Sequence, residues 1–423
     1  MIMKRFKKRQ DKVKSLFESN MKYFVLNGIL FTLVTNLYKP FAQKFLDRID
    51  GTEFHFSLYN ALPGLIAVFA VIPGVILMSR AMNKKLIIGS VTFVSRLFIL
   101  SFALVPFFSL EHQPMIFVAL ASIMNFPEAL FNTSMQSFSG DIFQGKERTT
   151  ALTYKNKYSQ LISFISLLIL GQIIKHFGVD AQKTIHIYQL FFILAFIIAI
   201  VEISAFFRIK EEKRENAERI ELKKIIPEIF RNKAYVKFLV CSLAFHFGWQ
   251  FGWPLFSIYQ IKYLHADETW ITILGVTSGI VMFLSFNSWN KIINKKGNHF
   301  AIAFATFGMA ATPVLYALSF NLYVLTVAGL IMGYFTSGTI TVILNSLLEA
   351  SPEKNRIMYV AVHSTLTNLT LFAAPLFSSM ILARSNIYVA LLICGGLRFI
   401  GSLAFYIRDK HKARLAEHIA ISN

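Results

Sequence analysis

Asn125, Glu128, Asn132 and Gln136 are spaced i, i+3, i+7 and i+11 within an apolar run, so a helix carries all four on one face. A carboxyl at membrane depth is costly to hold, and with amides on the same stripe it can exchange a proton or meet a polar solute. The stripe can equally act as polar glue between helices, and the residues by themselves leave both uses open. Pro127, beside Glu128, loosens the helix there. Arg96 lies about 12 residues from the cytoplasmic end of its own apolar run and Glu128 about 11, and at about 1.5 Å per residue the two reach similar depth. An Arg96–Glu128 pair is expected, either purely structural or one whose carboxyl takes up a proton when Arg96 or a solute moves. Burial favours the neutral acid and a guanidinium favours the ionised one, so opening and closing that pair swings proton affinity.

A second stripe, His246, Trp249, Gln250 and Trp253, follows i, i+3, i+4, i+7. The positions 214 residues earlier are Thr32, Thr35, Asn36 and Lys39. Indoles beside amides suit a ring-shaped or sugar-like solute, and Lys39 can attract an anionic group. His246 serves either in packing or as a proton carrier, and Trp253 also fits an interfacial anchor. When Arg148 is aligned with Arg356, Lys155 and Gln160 correspond to His363 and Asn368. Lys155 and Lys157 lie close enough to the cytoplasm to snorkel, whereas Asn368 is deeper and expected to touch solute. The candidate proton-coupling residues are thus Glu128, Arg96 and His246. The candidate cavity residues are Thr35, Asn36, Lys39, Asn125, Asn132, Trp249, Gln250, Trp253 and Asn368. The second half of the chain has no acid at membrane depth, which points to the first half for proton coupling.

The elements that must position these residues are apolar helices. Of 423 residues, 55% are hydrophobic and only 16% charged, whereas a soluble chain carries about a quarter charged. About twelve apolar segments of roughly 20 residues are each long enough to cross a bilayer. The formal charge of +20 could suggest nucleic acid, but its placement excludes that reading. Most Lys and Arg cluster before the first span, between spans six and seven, in alternate loops and in the tail. The opposite loops hold only Lys44, Arg48, Lys175, Lys183, Lys262 and Arg384. The positive-inside rule then puts both termini in the cytoplasm. The basic start runs into a first span too long for a signal h-region, so no cleaved leader is expected. Cys241 and Cys394 fall within spans, and no metal-ligand spacing or Gly-rich phosphate loop occurs. No cofactor and no metal are expected, and the nucleophile–base pattern of a membrane enzyme is missing.

The chain also repeats itself. Asp141 to Arg148 and Glu349 to Arg356 have the same layout, an acid followed seven places on by an arginine, and start 208 positions apart. Pro40 matches Pro254, and Ile187-Tyr188 matches Ile387-Tyr388. This divides the chain into a basic N-terminus (1–21), a six-helix bundle (22–207), a charged, amphipathic cytoplasmic linker (208–233), a second bundle (234–408) and a tail (409–423). The linker is expected to lie on the membrane surface. Repeated bundles of this kind meet around a central site and rock against each other.

With twelve spans, both ends inside, a long central loop and a half-repeat, the chain resembles the major facilitator superfamily over nearly its whole length. That family's loop after span two has Gly, Asp, a basic residue, Gly and further basic residues. Here Gly74, Ser79, Arg80, Met82, Asn83 and Lys84 occupy the region, without the Asp and the second Gly. The second copy, Asn294, Lys295, Gly297 and His299, is nearer the pattern, and the loops carrying Asp141, Arg148, Glu349 and Arg356 match it better. The resemblance implies an all-α membrane protein, a transporter opening alternately to the two sides, with Arg80, Asp141, Arg148, Asn294, Lys295, Gly297, Glu349 and Arg356 at a cytoplasmic gate. The expected partners are a small organic solute, protons and the bilayer of a bacterial cell membrane, for a monomer that binds no nucleic acid. Export of amphipathic compounds and lipid flipping on the same fold are the alternatives.

Overall fold

The computed structural model describes residues 2–143, 145–211, 222–353 and 355–422. The side chains of Gln136, residues 1–15 and residues 409–423, and the linker residues 212–221, lie outside the described part. Every regular element among the described residues is helical. Nine of those helices are long and apolar enough to cross a membrane. Several begin where an Asn or Asp caps free backbone N–H groups: Asn83 accepts from Leu86, Asp180 from Lys183, Asn232 from Ala234 and Tyr235, Asp267 from Trp270, and Asn321 from Val324. These short polar side chains satisfy orphan donors, which is how the sequence marks the helix starts.

The first of two compact units comprises Met1–Ile49 and Pro73–Arg219. It contains α1 (Ile2–Asn36), the short α2 (Ala42–Arg48), the end of α3 (Glu53–Arg80), α4 (Lys84–Phe102), α5 (Gln113–Ile142), α6 (Gly145–Phe177) and α7 (Ala181–Phe207). Edge-to-face rings fill one end: Phe45 lies 5.0 Å from Phe117 and 5.2 Å from Phe192, and Phe102 lies 5.1 Å from Phe117. Such pairs add about 0.5–1.5 kcal/mol each beyond area burial. They fasten α2, α4, α5 and α7 together and leave the polar stripes to be placed by helix rotation.

The second unit comprises Asp50–Ile72 and Ile220–Asn423. It contains the first part of α3, then α8 (Leu222–Arg231), α9 (Lys233–Ile258) continued by a π-helical turn, α10 (Glu268–Leu318), α11 (Leu322–Ala350), α12 (Arg356–Arg384) and α13 (Ile387–Ser422). Sequence order would group residues 50–72 with 22–207. Packing groups them differently, because a Cβ at Gly64 would lie 2.7 Å from the Asn368 carbonyl oxygen on α12. Helices α9 and α13 also meet through glycines: a Cβ on Gly248 would be 2.7 Å from Arg398 N, and one on Gly401 would be 2.5 Å from Phe245 Cα. Small residues of this kind let backbones touch in a membrane, where apolar burial does not drive association.

Arg398 is fully buried where these helices meet. It donates from Nε to the Gly248 carbonyl at 3.1 Å, from Nη2 to the Trp249 carbonyl at 2.9 Å, and from Nη1 to the Met309 carbonyl and the Thr312 hydroxyl. A guanidinium with its N–H groups so committed is a clamp for α9, α10 and α13.

Helix α10 is interrupted at Gly297, with φ 78° and ψ 161°. Only glycine adopts that region without strain, and no atom crowds the position. Gly297→Ala is therefore expected to destabilise by about 1–3 kcal/mol through the backbone alone. A thermal unfolding midpoint equal to the parent's would contradict this.

Candidate functional site

The first unit encloses a buried ion cluster. Arg96 on α4 is 2% exposed and Glu202 on α7 is 0% exposed. The guanidinium grips that carboxylate with a fork, Nε to Oε2 at 3.2 Å and Nη2 to Oε1 at 3.1 Å. Its remaining nitrogen, Nη1, lies 4.0 Å from Glu128 Oε1 on α5. Glu128 Oε1 in turn accepts the Tyr38 hydroxyl at 2.8 Å. The expected Arg96–Glu128 pair is thus the lesser contact, and Glu202 is the main partner. The reason is geometric: two parallel N–H groups meet Glu202, and only one edge faces Glu128.

This leaves two carboxylates on one guanidinium. Glu202 takes the Arg96 fork, and Glu128 lies at the guanidinium's remaining edge. Lys155 on α6 supplies a further cation. Its stem packs on Gly28 and its ammonium sits 4.6 Å above the Phe24 ring, so it is engaged with α1 and does not extend along the helix surface.

A cavity of about 310 Å³ lies between α1 and α6, lined by Phe31, Thr32, Thr35, Asn36, Asn156, Ser159, Gln160 and Ser163. Its walls carry no charge. Phe31 connects it to the ion cluster, because the Arg96 guanidinium lies 5.2 Å from the Phe31 ring centroid. The Asn36 amide nitrogen is committed to α6, at 3.1 Å from the Ser163 carbonyl and 2.7 Å from the Ser166 hydroxyl. Thr32 and Thr35 donate to carbonyls of their own helix. Ser159 Oγ, by contrast, is buried without a partner among the described residues. The amides of Asn156 and Gln160 likewise make no hydrogen bond there. Asn156 is exposed and Gln160 half-buried, so with Ser159 these are the cavity's polar groups not committed to other protein groups.

The other candidates are dispersed. Lys39 is exposed in the turn after α1 and is not part of the cavity wall. Asn125 donates to the Ala121 carbonyl of its own helix, and Asn132 is exposed. In the second unit, Gln250 is buried and pins α9 to α12, donating to the Thr367 carbonyl at 3.2 Å and accepting from the Thr370 hydroxyl at 2.6 Å. It does for α9 what Asn36 does for α1. Trp249 packs on Phe245 and His246, Trp253 is exposed, and Asn368 presents its backbone to Gly64.

At the loop between α3 and α4, Lys84 Nζ pairs with Asp141 at 2.5 Å. The Lys84 and Lys85 backbone N–H groups donate to Glu211, each at 3.3 Å. The acid absent from that loop is thus supplied by α5 and by the segment after α7. Arg148 Nε is buried without a described partner. Arg356 reaches the Ser351 carbonyl at 3.4 Å and Glu353 at 4.0 Å, and Arg80, Asn294, Lys295 and Glu349 are exposed. Asn156, Ser159, Ser163 and the Glu202 partnership were missed by sequence reading. A polar i, i+3, i+4, i+7 stripe at Asn156, Ser159, Gln160 and Ser163 was the available signal.

Long apolar helices, a polar cavity and a buried ion cluster joined to its wall define a membrane transporter. The Major Facilitator Superfamily model matches residues 23–326 and 238–419. The chain belongs to that superfamily. Its fold is similar to two crystal structures of the nucleoside transporter NupG, one of them a point mutant. For the mutant the TM-score is 0.72 at 11% identity, covering 92% of this chain and 99% of that one. For the other the TM-score is 0.68 at 11% identity, covering 92% and 98%. No curated protein matches the sequence.

Proposed function

We propose that this protein moves a small, uncharged, ring-bearing solute of the nucleoside or sugar class by alternating access, coupled to a proton on Glu128. The observation that carries this reading is the uncharged cavity, whose wall residue Phe31 lies beneath Arg96. Uncommitted Asn156, Gln160 and Ser159 groups suit hydroxyls and ring nitrogens, and Phe31 offers a face for a ring. A solute that presses on Phe31 disturbs Arg96 and thereby the environment of Glu128. Solute and proton are linked in this way through one aromatic ring. The fold's likeness to a nucleoside transporter supports the same class.

Twelve crossings are supported by the nine apolar helices, the break of α10 at Gly297 and the apolar parts of α1 and α9. The distribution of Lys and Arg supports cytoplasmic termini in a bacterial cell membrane. Residues 22–207 and 234–408 are the repeated halves, joined by 208–233, in a monomer.

Counterflow in proteoliposomes against nucleosides, sugars, organic anions and amphipathic dyes tests the reading. Saturable exchange of a neutral member is expected, and exchange confined to anions or dyes would overturn it. With the exchanged solute, Asn156→Ala and Gln160→Ala should each weaken affinity roughly three- to tenfold, the effect of one hydrogen bond. Asn36→Ala should instead lower stability by about 1–3 kcal/mol, because its amide holds α1 to α6. Equal loss of affinity in all three, with unchanged melting, would contradict this division of roles.

A further inference from the structure

The two sequence halves are related by offsets of 214 for the first helix and 208 for the fifth, and at one place the structure makes that relation chemical. In the first unit Lys155 packs on Gly28 and holds its ammonium 4.6 Å over the Phe24 ring. The corresponding residues of the second unit are His363, Ser242 and Phe238. They make the same contacts: the His363 ring stacks on Phe238 at 5.5 Å, and its Nε2 lies 2.8 Å from the Ser242 hydroxyl. A position that carries a lysine ammonium on an aromatic face in one half carries an imidazole on an aromatic face in the other.

A second imidazole completes the site. His246 Nδ1 is 2.8 Å from the Ser242 carbonyl and 3.2 Å from its hydroxyl. A carbonyl only accepts, so Nδ1 carries the hydrogen and the lone pair of His246 lies on Nε2. The Ser242 hydroxyl is then free to donate to His363 Nε2. The two ring centroids are 5.6 Å apart.

We infer that His363, Ser242 and His246 form a site in the second unit that holds one proton, with His363 as the switchable counterpart of Lys155. The proton comes from the aqueous phase and forms an N–H bond at His246 Nε2 or His363 Nε2. In the second case Ser242 rotates and its oxygen accepts. The Phe238 face favours a cation on His363, as the Phe24 face does for Lys155. Two imidazolium rings at this separation repel, which limits the pair to one charge.

Among the described residues, no carboxylate contacts either ring. From α9 itself Tyr235 faces inward and donates to the Tyr359 carbonyl of α12. From α13 Arg398 holds the Trp249 carbonyl, and the Arg408 guanidinium lies 5.5 Å from the Phe238 centroid. On α11 Tyr334 is turned to Trp289 and Glu349 is exposed. The role of this site in coupling rests on the proposed transport, but its existence does not.

Full-length protein in lipid nanodiscs, with its histidines labelled with ¹⁵N, is titrated without solute or gradient. Signals are assigned from His246→Asn and His363→Asn. In the parent, both rings should shift partway in the same step, and completion should wait for a separate step about one pH unit or more further into acid. In His363→Asn, His246 should complete in a single step. In His363→Lys, which copies the first unit, His246 should remain neutral across the range in which it is partly protonated in the parent. Independent single-step titration of both rings, or two rings that stay neutral down to about pH 4, would overturn the inference. Because transport is not read, that failure leaves coupling at Glu128 intact, and failure of solute exchange leaves the titration intact.

Discussion

Glu128→Gln is expected to abolish accumulation driven by an imposed pH gradient and to leave gradient-free exchange of the same solute in place. Glutamine keeps the shape and the carbonyl that accepts the Tyr38 hydroxyl, but it cannot ionise. Glu202 already takes the Arg96 fork, so Glu128 at the free edge is the carboxyl proposed to exchange a proton, and glutamine there cannot. A carrier moving one proton per solute concentrates that solute up to about tenfold for each unit of pH difference. The whole of that signal should fall to the level of empty vesicles. Exchange needs only the cavity and the two open states, so it should persist. Accumulation equal to the parent's would remove Glu128 from the mechanism. Loss of exchange together with accumulation would assign it to solute binding or folding.

The second large effect concerns the buried pair. Arg96→Met or Glu202→Met alone leaves one uncompensated charge among helices and should destabilise by about 3–5 kcal/mol. The double variant replaces both charges with apolar side chains of similar volume and should regain most of that loss. Unfolding midpoints of the four proteins in one detergent form a double-mutant cycle. Additive losses would show that the fork contributes no coupling. The double variant should still fail in gradient-driven transport, because Glu128 then has no guanidinium at its edge.

The sequence made the depth of these charges legible but left their partners open. Arg96 and Glu128 lie equally far along their helices, so a pair between them was a sound expectation. Whether Arg96 turns its fork to α5 or α7 depends on the rotation of α4 about its axis, which depth does not encode. Asn36 and Gln250 were found as matched polar positions, and the structure gives both the same task of pinning the first helix of a repeat to its fifth. Lys39 looked like a cavity residue because it continues the helical stripe. The helix ends at Asn36 and the chain turns, so periodicity stops applying there. His246 and His363 are 117 positions apart. Only the packing of α12 on α9 gives them a common serine.

By itself the amino-acid order determined apolar helices of membrane length, a duplicated plan and which polar residues lie within those helices. These follow from composition and period, which act along the chain. Tertiary structure alone decided which carboxylate Arg96 holds, which amides are committed to neighbouring helices and which two imidazoles share one hydroxyl. Those outcomes depend on hydrogen bonds with ångström reach between residues far apart in sequence. They are set by how each helix is turned against its neighbour.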